Sequence, residues 1–361
     1  MVEEPAEGVS LGVKDLFDTA GVVTTYGSAI FRDHVPGETA EAVARLERNG
    51  YAQVGKTNLH EFAYGITSEN AHFGDVVNPR DPTRIPGGSS GGSAAALAAG
   101  LCDAALGTDS AGSIRLPAAC CGVVGFKPTY DLVPTRGVFP LAQSFDHAGP
   151  MARDVEGCSA MMEALVPGFE RRRLESPEEV SAVLAWAENS EPLVQARVEA
   201  AATLFPRLRR VEFPLPLDFG PAFMREVADV HRELFAEHAD LYGPSVRVKI
   251  ERCLAVDDDA VERSRAEREE YRRKALEALE DADLLLTPTM SFVAPPVGIG
   301  DLALRERVIR LTWPLNGLGW PALALPCGEA EHGLPASLQI VARSGDDALA
   351  LAAGALVEAA L

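Results

Sequence analysis

The chain has 361 residues, of which 47% are hydrophobic, so it is long enough for one large domain or two ordinary ones with an extensive core. Its 53 acidic and 33 basic residues give a formal net charge of −20. A charge of this sign argues against unaided binding to nucleic acids or anionic membranes, and no apolar run reaches transmembrane length.

Segments of strand and helix character alternate along the chain, which predicts an α/β layered fold. We expect one domain over residues 1–361, because the motifs described below run through both halves, and we place the more charged residues 165–215 at its periphery. The predicted strands lie near Leu11–Lys14, Ala52–Gly55, Ala104–Gly107, Leu284–Thr287, Ala322–Pro326 and Leu338–Ala342. The predicted helices lie near Glu38–Arg48, Ser93–Ala99, Val155–Leu165, Leu193–Leu204, Asp218–His238, Asp259–Leu279 and Asp346–Ala359.

Two lysines follow short apolar strands near the N-terminus. Lys14 ends the run LGVK and Lys56 ends the run VGK, so either side chain would be carried towards the interior. Burial lowers the pKa of a lysine, and a neutral lysine can act as a general base. The residues alone leave both lysines as candidates.

A glycine- and serine-rich string, GGSSGGS at residues 87–93, is followed by GTDSAGSIR at residues 107–115. Serines in a backbone without bulky side chains suit an acyl-transfer site, where the nucleophile and the oxyanion donors must approach the substrate closely. The string runs into an alanine-rich helix with Ser90 or a neighbour as N-cap and Gly100 as C-cap. A flexible linker would not continue in this way.

Ser90 also lies at the centre of a G-x-S-x-G pattern, which is the nucleophile elbow of α/β-hydrolases. That interpretation needs a strand directly before the turn, whereas residues 78–86 are rich in proline and predict a loop. A phosphate-binding loop is less favoured still, since no Gly-Lys-Ser or Gly-Lys-Thr follows. His60-Glu61 lacks the second histidine of a zinc-binding H-E-x-x-H, and we place His60 on a helical face.

The block from Pro86 to Pro128 resembles the signature of the amidase signature family of serine hydrolases, and the similarity covers nearly the whole chain. Further pieces that fit the family are GKTNLHEFAYGITSEN at 55–70, FDHAGPMARDV at 145–155, LLLTPTMSFVAPPVG at 284–298 and GLPASLQIV at 333–341. The resemblance implies a mixed central sheet covered by helices on both faces. It also implies an N-terminal helical flank, which is largely absent from the 13 residues before Lys14, so that the pocket is more open or a surface is free for a homodimer.

The family uses a Ser–Ser–Lys triad, and its spacings are met here, with 75 positions from Lys14 to Ser89 and 24 from Ser89 to Ser113. The resemblance therefore assigns Lys14 as base, Ser89 as bridging serine after a cis peptide and Ser113 as nucleophile, and it gives Lys56 a structural role. Asp109 and Arg115 are expected to orient the loop. Backbone N–H groups of a nest before a helix near Ser113 would bind the oxyanion; these belong to Ser110, Ala111, Gly112 and Ser113.

Alanine at position 111 departs from the family, which commonly has glycine there, and it would be strained if the position needs positive φ. The loop at residues 65–70 and the tryptophans near the C-terminal third are ambiguous between pocket wall and structure. We assign to the substrate pocket Thr67, Ser68, Trp313 and Trp320.

Six cysteines show no C-x-x-C spacing and lie mostly in apolar segments, which predicts buried thiols in a reducing compartment. Residues 1–7 are acidic where a signal peptide is basic and then apolar, so we expect a cytoplasmic protein. We expect no metal and no cofactor, because the motifs give every catalytic role to serine, lysine and backbone amides.

The sequence therefore predicts an amidase that hydrolyses the carbon–nitrogen bond of a small-molecule amide, carbamate or ureide through an acyl-enzyme on Ser113. The alternative is the A-type subunit of a glutamyl-tRNA amidotransferase, which works with partners; the short chain and its acidity favour the first hypothesis. An α/β-hydrolase with Ser90 as nucleophile and a non-catalytic scaffold are less favoured, the latter because all three triad residues are present.

Overall fold

A mixed sheet of ten strands runs through the computed structural model, which describes residues 8–216 and 218–361. The acidic residues 1–7, in which we predict no signal peptide, lie outside the described residues. The sheet order is β2-β1-β3-β5-β4-β9-β10-β8-β6-β7. The strands are β1 Val9–Lys14, β2 Tyr51–Thr57, β3 Ala104–Asp109, β4 Val124–Lys127, β5 His147–Ala152, β6 Ser181–Leu184, β7 Arg207–Arg210, β8 Leu284–Pro288, β9 Ala322–Glu329 and β10 Pro335–Val341.

Helices cover both faces of this sheet. Alternate residues of β3 show the two faces, since Ala104 and Leu106 belong to one core cluster with residues of the helices at 41–48, 155–165 and 347–360, while Ala105 belongs to another with residues of the helices at 91–98 and 115–121. The helices of the described residues are α1 Glu41–Arg48, α2 Gly91–Ala98, α3 Arg115–Cys121, α4 Val155–Leu165, α5 Pro192–Ala202, α6 Gly220–His238, α7 Pro244–Leu254, α8 Asp258–Leu279, α9 Asp301–Ile309, α10 Trp313–Leu318 and α11 Asp347–Ala360. The predicted α/β fold with helices on both faces is confirmed.

The pairing of β1 with its neighbours places the lysine that ends it. β1 is parallel to both β2 and β3, with Val13 opposite Leu106, so β1 and β3 end at the same edge of the sheet. Lys14 therefore lies beside the end of β3, where the turn of residues 110–114 begins. We call it the nucleophile turn, because it carries Ser113, the predicted nucleophile. β2 is the outer strand on this side, and Lys56 near its end lies at the margin of the sheet.

The predicted strands and helices are all present, but four strands were missed. β5 contains Gly149 and Pro150, which are usually breakers, yet it is fully buried between β3 and β4. β7 has the sequence RLRR and forms because it adds in parallel to β6. We expected residues 165–215 at the periphery. β7 does lie at the end of the sheet, whereas three of the four residues of β6 are buried.

Candidate active site

The Lys14 side chain is fully buried and surrounded by hydroxyl groups. Its Nζ lies 2.7 Å from Ser89 Oγ, 2.9 Å from Ser90 Oγ and 2.7 Å from Thr108 Oγ1. The predicted base and bridging serine are therefore in direct contact. β1 delivers the lysine, the glycine-rich loop delivers the two serines, and β3 delivers the threonine.

The proton inventory around this amine is restricted. Ser90 Oγ donates to Thr108 O at 3.2 Å, so towards Lys14 it acts as an acceptor. A neutral lysine has two N–H groups and one lone pair. With one N–H used on Ser90, the other serves Thr108 and the lone pair faces the hydroxyl of Ser89, which is the arrangement that a general base requires.

Burial lowers the pKa of Lys14 from 10.5 to about 7, because a charged amine loses its hydration there, and the negative charges of Asp109 and Asp146 oppose this shift in part. Near neutral pH a large fraction of Lys14 is therefore unprotonated. An amine of this pKa can take a proton from a serine hydroxyl without an external activator.

The serine loop is shaped by close backbone approaches. The Gly88–Ser89 peptide is cis, as the family resemblance implies. A Cβ on Gly92 would lie 2.3 Å from Asn58 O, so the position accepts only glycine without a shift. Ser90 N donates to Ser113 O at 3.2 Å, which joins this loop to the nucleophile turn.

The turn that carries Ser113 lies between β3 and α3, and the serine itself is 6% exposed. Gly112 has φ 127°, and a Cβ there would lie 2.3 Å from Thr312 Oγ1. Ala111 is not among the residues with positive φ, so alanine causes no strain of that kind at this position. Thr312 Oγ1 donates to Ala111 O at 2.6 Å and fixes the turn from the side of α10.

A buried ion pair frames the turn. Asp109 Oδ1 lies 2.9 Å from Arg115 Nη2, and both side chains are fully buried. Arg115 also donates to Gln339 Oε1 and Asn316 Oδ1, each at 2.7 Å, so α10 and β10 are tied to the same guanidinium. Burial disfavours the Asp109 carboxylate, but the charge of Arg115 and the hydrogen bonds to it hold its pKa well below the usual range.

Three of the four predicted oxyanion donors are unoccupied. Gly112 N donates to Asp109 Oδ1 at 2.7 Å, so this N–H serves the turn itself. Among residues 8–216 and 218–361, the N–H groups of the other three predicted donors have no acceptor; these are Ser110, Ala111 and Ser113. These three N–H groups are therefore available to bind the oxyanion that forms when an amide carbonyl is attacked.

One cavity borders this centre, and a second is formed partly by residues that are next to it in the sequence. One, of about 410 Å³, is lined by Thr108, Ser110, Asp146 and Phe139 among others, and we call it the Thr108 cavity. The second, of about 630 Å³, is lined by Tyr64 and Trp313 among others, and we call it the Trp313 cavity. Trp313 directly follows Thr312, whose hydroxyl bonds to the nucleophile turn. Ala63 and Tyr64 are adjacent in the chain, and Ala63 lines the Thr108 cavity while Tyr64 lines the Trp313 cavity.

Comparisons with known proteins identify the family of this chain. The sequence profile of the Amidase family matches residues 2–199 and 191–351. The chain belongs to the Amidase family. It is 34% identical to the A subunit of glutamyl-tRNA(Gln) amidotransferase from Roseiflexus sp. (strain RS-1), over 97% of this chain and 82% of that protein.

Other relatives are equally similar. The corresponding A subunit from Thermus thermophilus is 35% identical, over 99% of this chain and 85% of that protein. A solved structure described as an amidase superposes with a TM-score of 0.90 at 37% identity, over 99% of this chain and 86% of that one. Both hypotheses from the sequence thus have a counterpart among the relatives of this Amidase-family chain.

Three of the four predicted pocket residues of this Amidase-family chain line neither cavity. Ser68 Oγ donates to Gly87 O at 2.8 Å and accepts from Gly91 N at 3.1 Å, so it stabilises the backbone of the serine loop. Thr67 is buried, and its hydroxyl donates to Glu69 at 3.0 Å. Trp320 is buried, and its carbonyl accepts from Lys127. Of the four, Trp313 is the one that lines the Trp313 cavity.

The other sequence candidates have structural surroundings. Lys56 Nζ donates to Phe17 O and lies 3.5 Å from Asp15 Oδ1. His60 was expected on a helical face, but it precedes a short 3₁₀ turn, and burial lowers its pKa to about 3. No strand precedes Ser90 within the described residues 79–90, and its side chain does not cap α2.

Sequence reasoning missed several polar residues around the site. Thr108 contacts the base, Asp146 accepts from Ser110 Oγ at 2.5 Å, and burial raises the pKa of Asp146 to about 6. Lys127 is fully buried, which lowers its pKa to about 7. Lysine is scarce, with five in the chain, so a lysine inside an apolar strand could have been a signal.

The cysteines, the possible metal ligands and the length of the helices are features away from the predicted triad. All six cysteines are buried and unpaired. Within the part of the chain that the structure describes, no three of the His, Cys, Asp and Glu side chains are grouped as metal ligands would be, and no helix is long and apolar enough to cross a membrane.

The pKa of Lys14 predicts the pH dependence of activity. A general base acts in its unprotonated form, so the prediction that Lys14 is the base implies that kcat/KM rises with pH and reaches half of its plateau near pH 7. Thr108→Val removes an acceptor that stabilises the charged amine, so its midpoint should move to lower pH. Lys56→Gln serves as control and should keep the wild-type midpoint. A profile that rises only above pH 9, or one that Lys56→Gln shifts and Thr108→Val does not, would contradict the assignment.

The buried ion pair predicts a large stability effect. Asp109→Ala leaves Arg115 charged and uncompensated, which should lower the free energy of unfolding by about 3–5 kcal/mol. Asp281 pairs with Arg209 at the surface and is 91% exposed, so Asp281→Ala should cost less than about 1 kcal/mol. Urea unfolding of both variants measures the difference. Equal losses would show that the buried pair does not hold the turn.

Proposed function

We propose that this chain hydrolyses a carbon–nitrogen amide bond through a covalent acyl-enzyme on Ser113, with Ser89 as bridge and Lys14 as general base. The observation that carries the proposal is the 2.7 Å contact between a fully buried Lys14, with its pKa lowered to about 7, and Ser89 Oγ. Membership of the Amidase family and the predicted spacing to Ser113 support it.

The proposed steps follow from the chemistry of these groups. Ser113 Oγ attacks the amide carbonyl while its proton passes to Ser89, whose own proton passes to Lys14. The amides of Ser110, Ala111 and Ser113 bind the oxyanion of the tetrahedral intermediate. The C–N bond then breaks as the proton returns from Lys14 through Ser89 to the leaving nitrogen. Water attacks the acyl-enzyme by the same proton route and releases the acid.

The nucleophile can be located directly. Ser113→Ala should fold normally and lose several orders of magnitude in kcat, because the attacking oxygen is gone and no buried apolar contact is removed. Mass spectrometry of wild-type protein quenched during turnover of an amide or carbamate should show an acyl adduct on the peptide that contains Ser113. Ser90→Ala is the matched control and should still form that adduct. An adduct on Ser90 would overturn the proposal in favour of the elbow.

A second candidate, the A-type subunit of a glutamyl-tRNA amidotransferase, is favoured by the two curated relatives at 34% and 35% identity. It uses the same acyl-enzyme chemistry, with glutamine as the amide and ammonia as the product. These similarities favour the amidotransferase hypothesis, whereas the length and the net charge of the chain, taken alone, disfavour it. The two candidates differ in their partners and not in their triad.

Isolated protein separates the two. For a self-sufficient amidase, we expect hydrolysis of simple amides by the purified chain at rates that exceed its glutaminase activity. Ammonia release should be measured for both substrates, with Ser113→Ala protein as the blank. Release confined to glutamine, and only after partner subunits are added, would establish the amidotransferase role instead. We propose a small-molecule substrate and a cytoplasmic location in either case, the latter supported by six buried, unpaired thiols.

A further inference from the structure

Residues 64–68 form a loop that packs directly against the serine loop, and we call it the support loop. A Cβ on Gly88 would lie 2.9 Å from both Ile66 C and Ser68 N, so the two backbones touch at the residue before Ser89. Ser68 Oγ also donates to a carbonyl of the serine loop at 2.8 Å. The position of the Ser89 hydroxyl therefore depends on where the support loop lies.

Two buried charged side chains hold the support loop by its backbone. Asp301, the first residue of α9, accepts from Ile66 N at 2.6 Å. Lys249 of α7 donates to Tyr64 O. The two side chains also pair with each other, since Lys249 Nζ lies 2.6 Å from Asp301 Oδ2, and they are 4% and 0% exposed. One ion pair thus joins the support loop to two helices of the second half of the chain.

The support loop needs contacts of this kind. Residues 64–68 contain no helix or strand, so regular backbone hydrogen bonding does not define the path of the chain. Ser68 has φ 56°, a conformation that non-glycine residues rarely adopt and that persists where the surroundings enforce it. A buried N–H or C=O without a partner is unfavourable, so the amide of Ile66 and the carbonyl of Tyr64 favour the one path that meets the ion pair.

A displacement of the serine loop would act on the base as well as on the bridge. Ser89 Oγ and Ser90 Oγ lie 2.7 and 2.9 Å from Lys14 Nζ, so two hydroxyls of this loop cover the amine. Water that reached the amine after such a displacement would stabilise its charged form. The position of the bridge and the basicity of Lys14 therefore depend on the same contacts.

We propose that Lys249 and Asp301 are positioning residues of the reaction, which act through the support loop to hold the Ser89 hydroxyl in its bridging place. The hydrogen bonds of both side chains go to the backbone of the support loop and to each other. This inference rests on the proposed function, because it takes the bridging role of Ser89 from that reaction.

The test removes the pair as a whole, because the loss of one partner would leave a buried charge. Lys249→Met/Asp301→Leu removes both charges and both contacts to the support loop, and it replaces them with apolar groups of similar volume. Lys249→Met/Asp301→Asn also removes the charges, but it keeps an amide oxygen that can accept from Ile66 N. The second variant should therefore regain part of what the first one loses.

Asp347→Leu is the matched control. Asp347 is the first residue of α11, as Asp301 is of α9, and both are 1% exposed. Its carboxylate also accepts a backbone N–H from a distant loop, that of Thr129 at 2.8 Å. The control should lower the thermal midpoint and leave the kinetics unchanged when all proteins are assayed well below their midpoints.

Steady-state kinetics with an amide substrate give the first readout. A catalytic group displaced by about 1 Å costs about 100-fold in rate, and we expect a loss of this size in kcat for Lys249→Met/Asp301→Leu. KM should stay close to the wild-type value, because no residue of the proposed triad or oxyanion site is replaced. Asp347→Leu should keep both constants.

The pKa of Lys14 gives a second readout that needs no turnover. The chain has five lysines, so NMR of protein labelled with ¹³C at lysine Cε yields few signals, and the signal absent from Lys14→Met belongs to Lys14. In Lys249→Met/Asp301→Leu this pKa should rise by about one pH unit or more, because the amine gains hydration. It should not move in Asp347→Leu. Asp109 and Asp146, whose charges also act on Lys14, are present in every variant.

An unchanged kcat or an unchanged Lys14 pKa in folded Lys249→Met/Asp301→Leu protein would overturn the inference, and so would equal effects in Asp347→Leu. If that double variant does not fold, Lys249→Met/Asp301→Asn is judged by the same criteria. Wild-type turnover with no effect of the substitutions would refute the positioning role and leave the amidase mechanism intact. Without any Ser113 adduct in the wild type, the pKa alone decides: its rise would retain the positioning role while the mechanism is refuted.

Discussion

The nucleophile turn depends on the buried ion pair of Asp109 and Arg115. In the five-residue turn between β3 and α3, Ile114 packs into the core, while the carboxylate accepts from the N–H of Gly112 and the guanidinium donates to groups on α10 and β10. Charges in a site without water interact strongly and tolerate little displacement. The position of Ser113 is therefore set by electrostatics that connect both halves of the sequence.

The same carboxylate also acts on the base. Burial drives the pKa of Lys14 down, and the negative charges of Asp109 and Asp146 drive it back up, so the value near 7 is a balance of opposed effects. A deeper site would lower the basicity of the amine further, and a stronger negative field would keep it protonated. The position of the proposed nucleophile, Ser113, and the pKa of the proposed base, Lys14, are consequently linked through one residue, Asp109.

Much of the fold could be predicted from the sequence, since the alternation of elements is a local feature, and the contact between Lys14 and Ser89 agrees with the spacing that the family resemblance implies. The choice between the two lysines could not be made from the residues alone, because it depends on β1 being internal and β2 being marginal in the sheet. Ser68 shows the same dependence on tertiary structure. A small polar residue suits a pocket wall, but its hydrogen-bond partners, Gly87 and Gly91, lie 19 and 23 residues away in the serine loop. Strand β5 was missed because burial on both faces outweighs its Gly149 and Pro150.

The backbone of Phe62, Ala63 and Tyr64 connects the walls of the Thr108 cavity and the Trp313 cavity. Phe62 and Ala63 both have positive φ, and the next residue, Tyr64, belongs to the wall of the other cavity. A backbone held in this conformation cannot adjust one residue without moving the next. A substitution that moves Ala63 at the wall of the Thr108 cavity would thus also move Tyr64 at the wall of the Trp313 cavity, so the shapes of the two cavities are coupled.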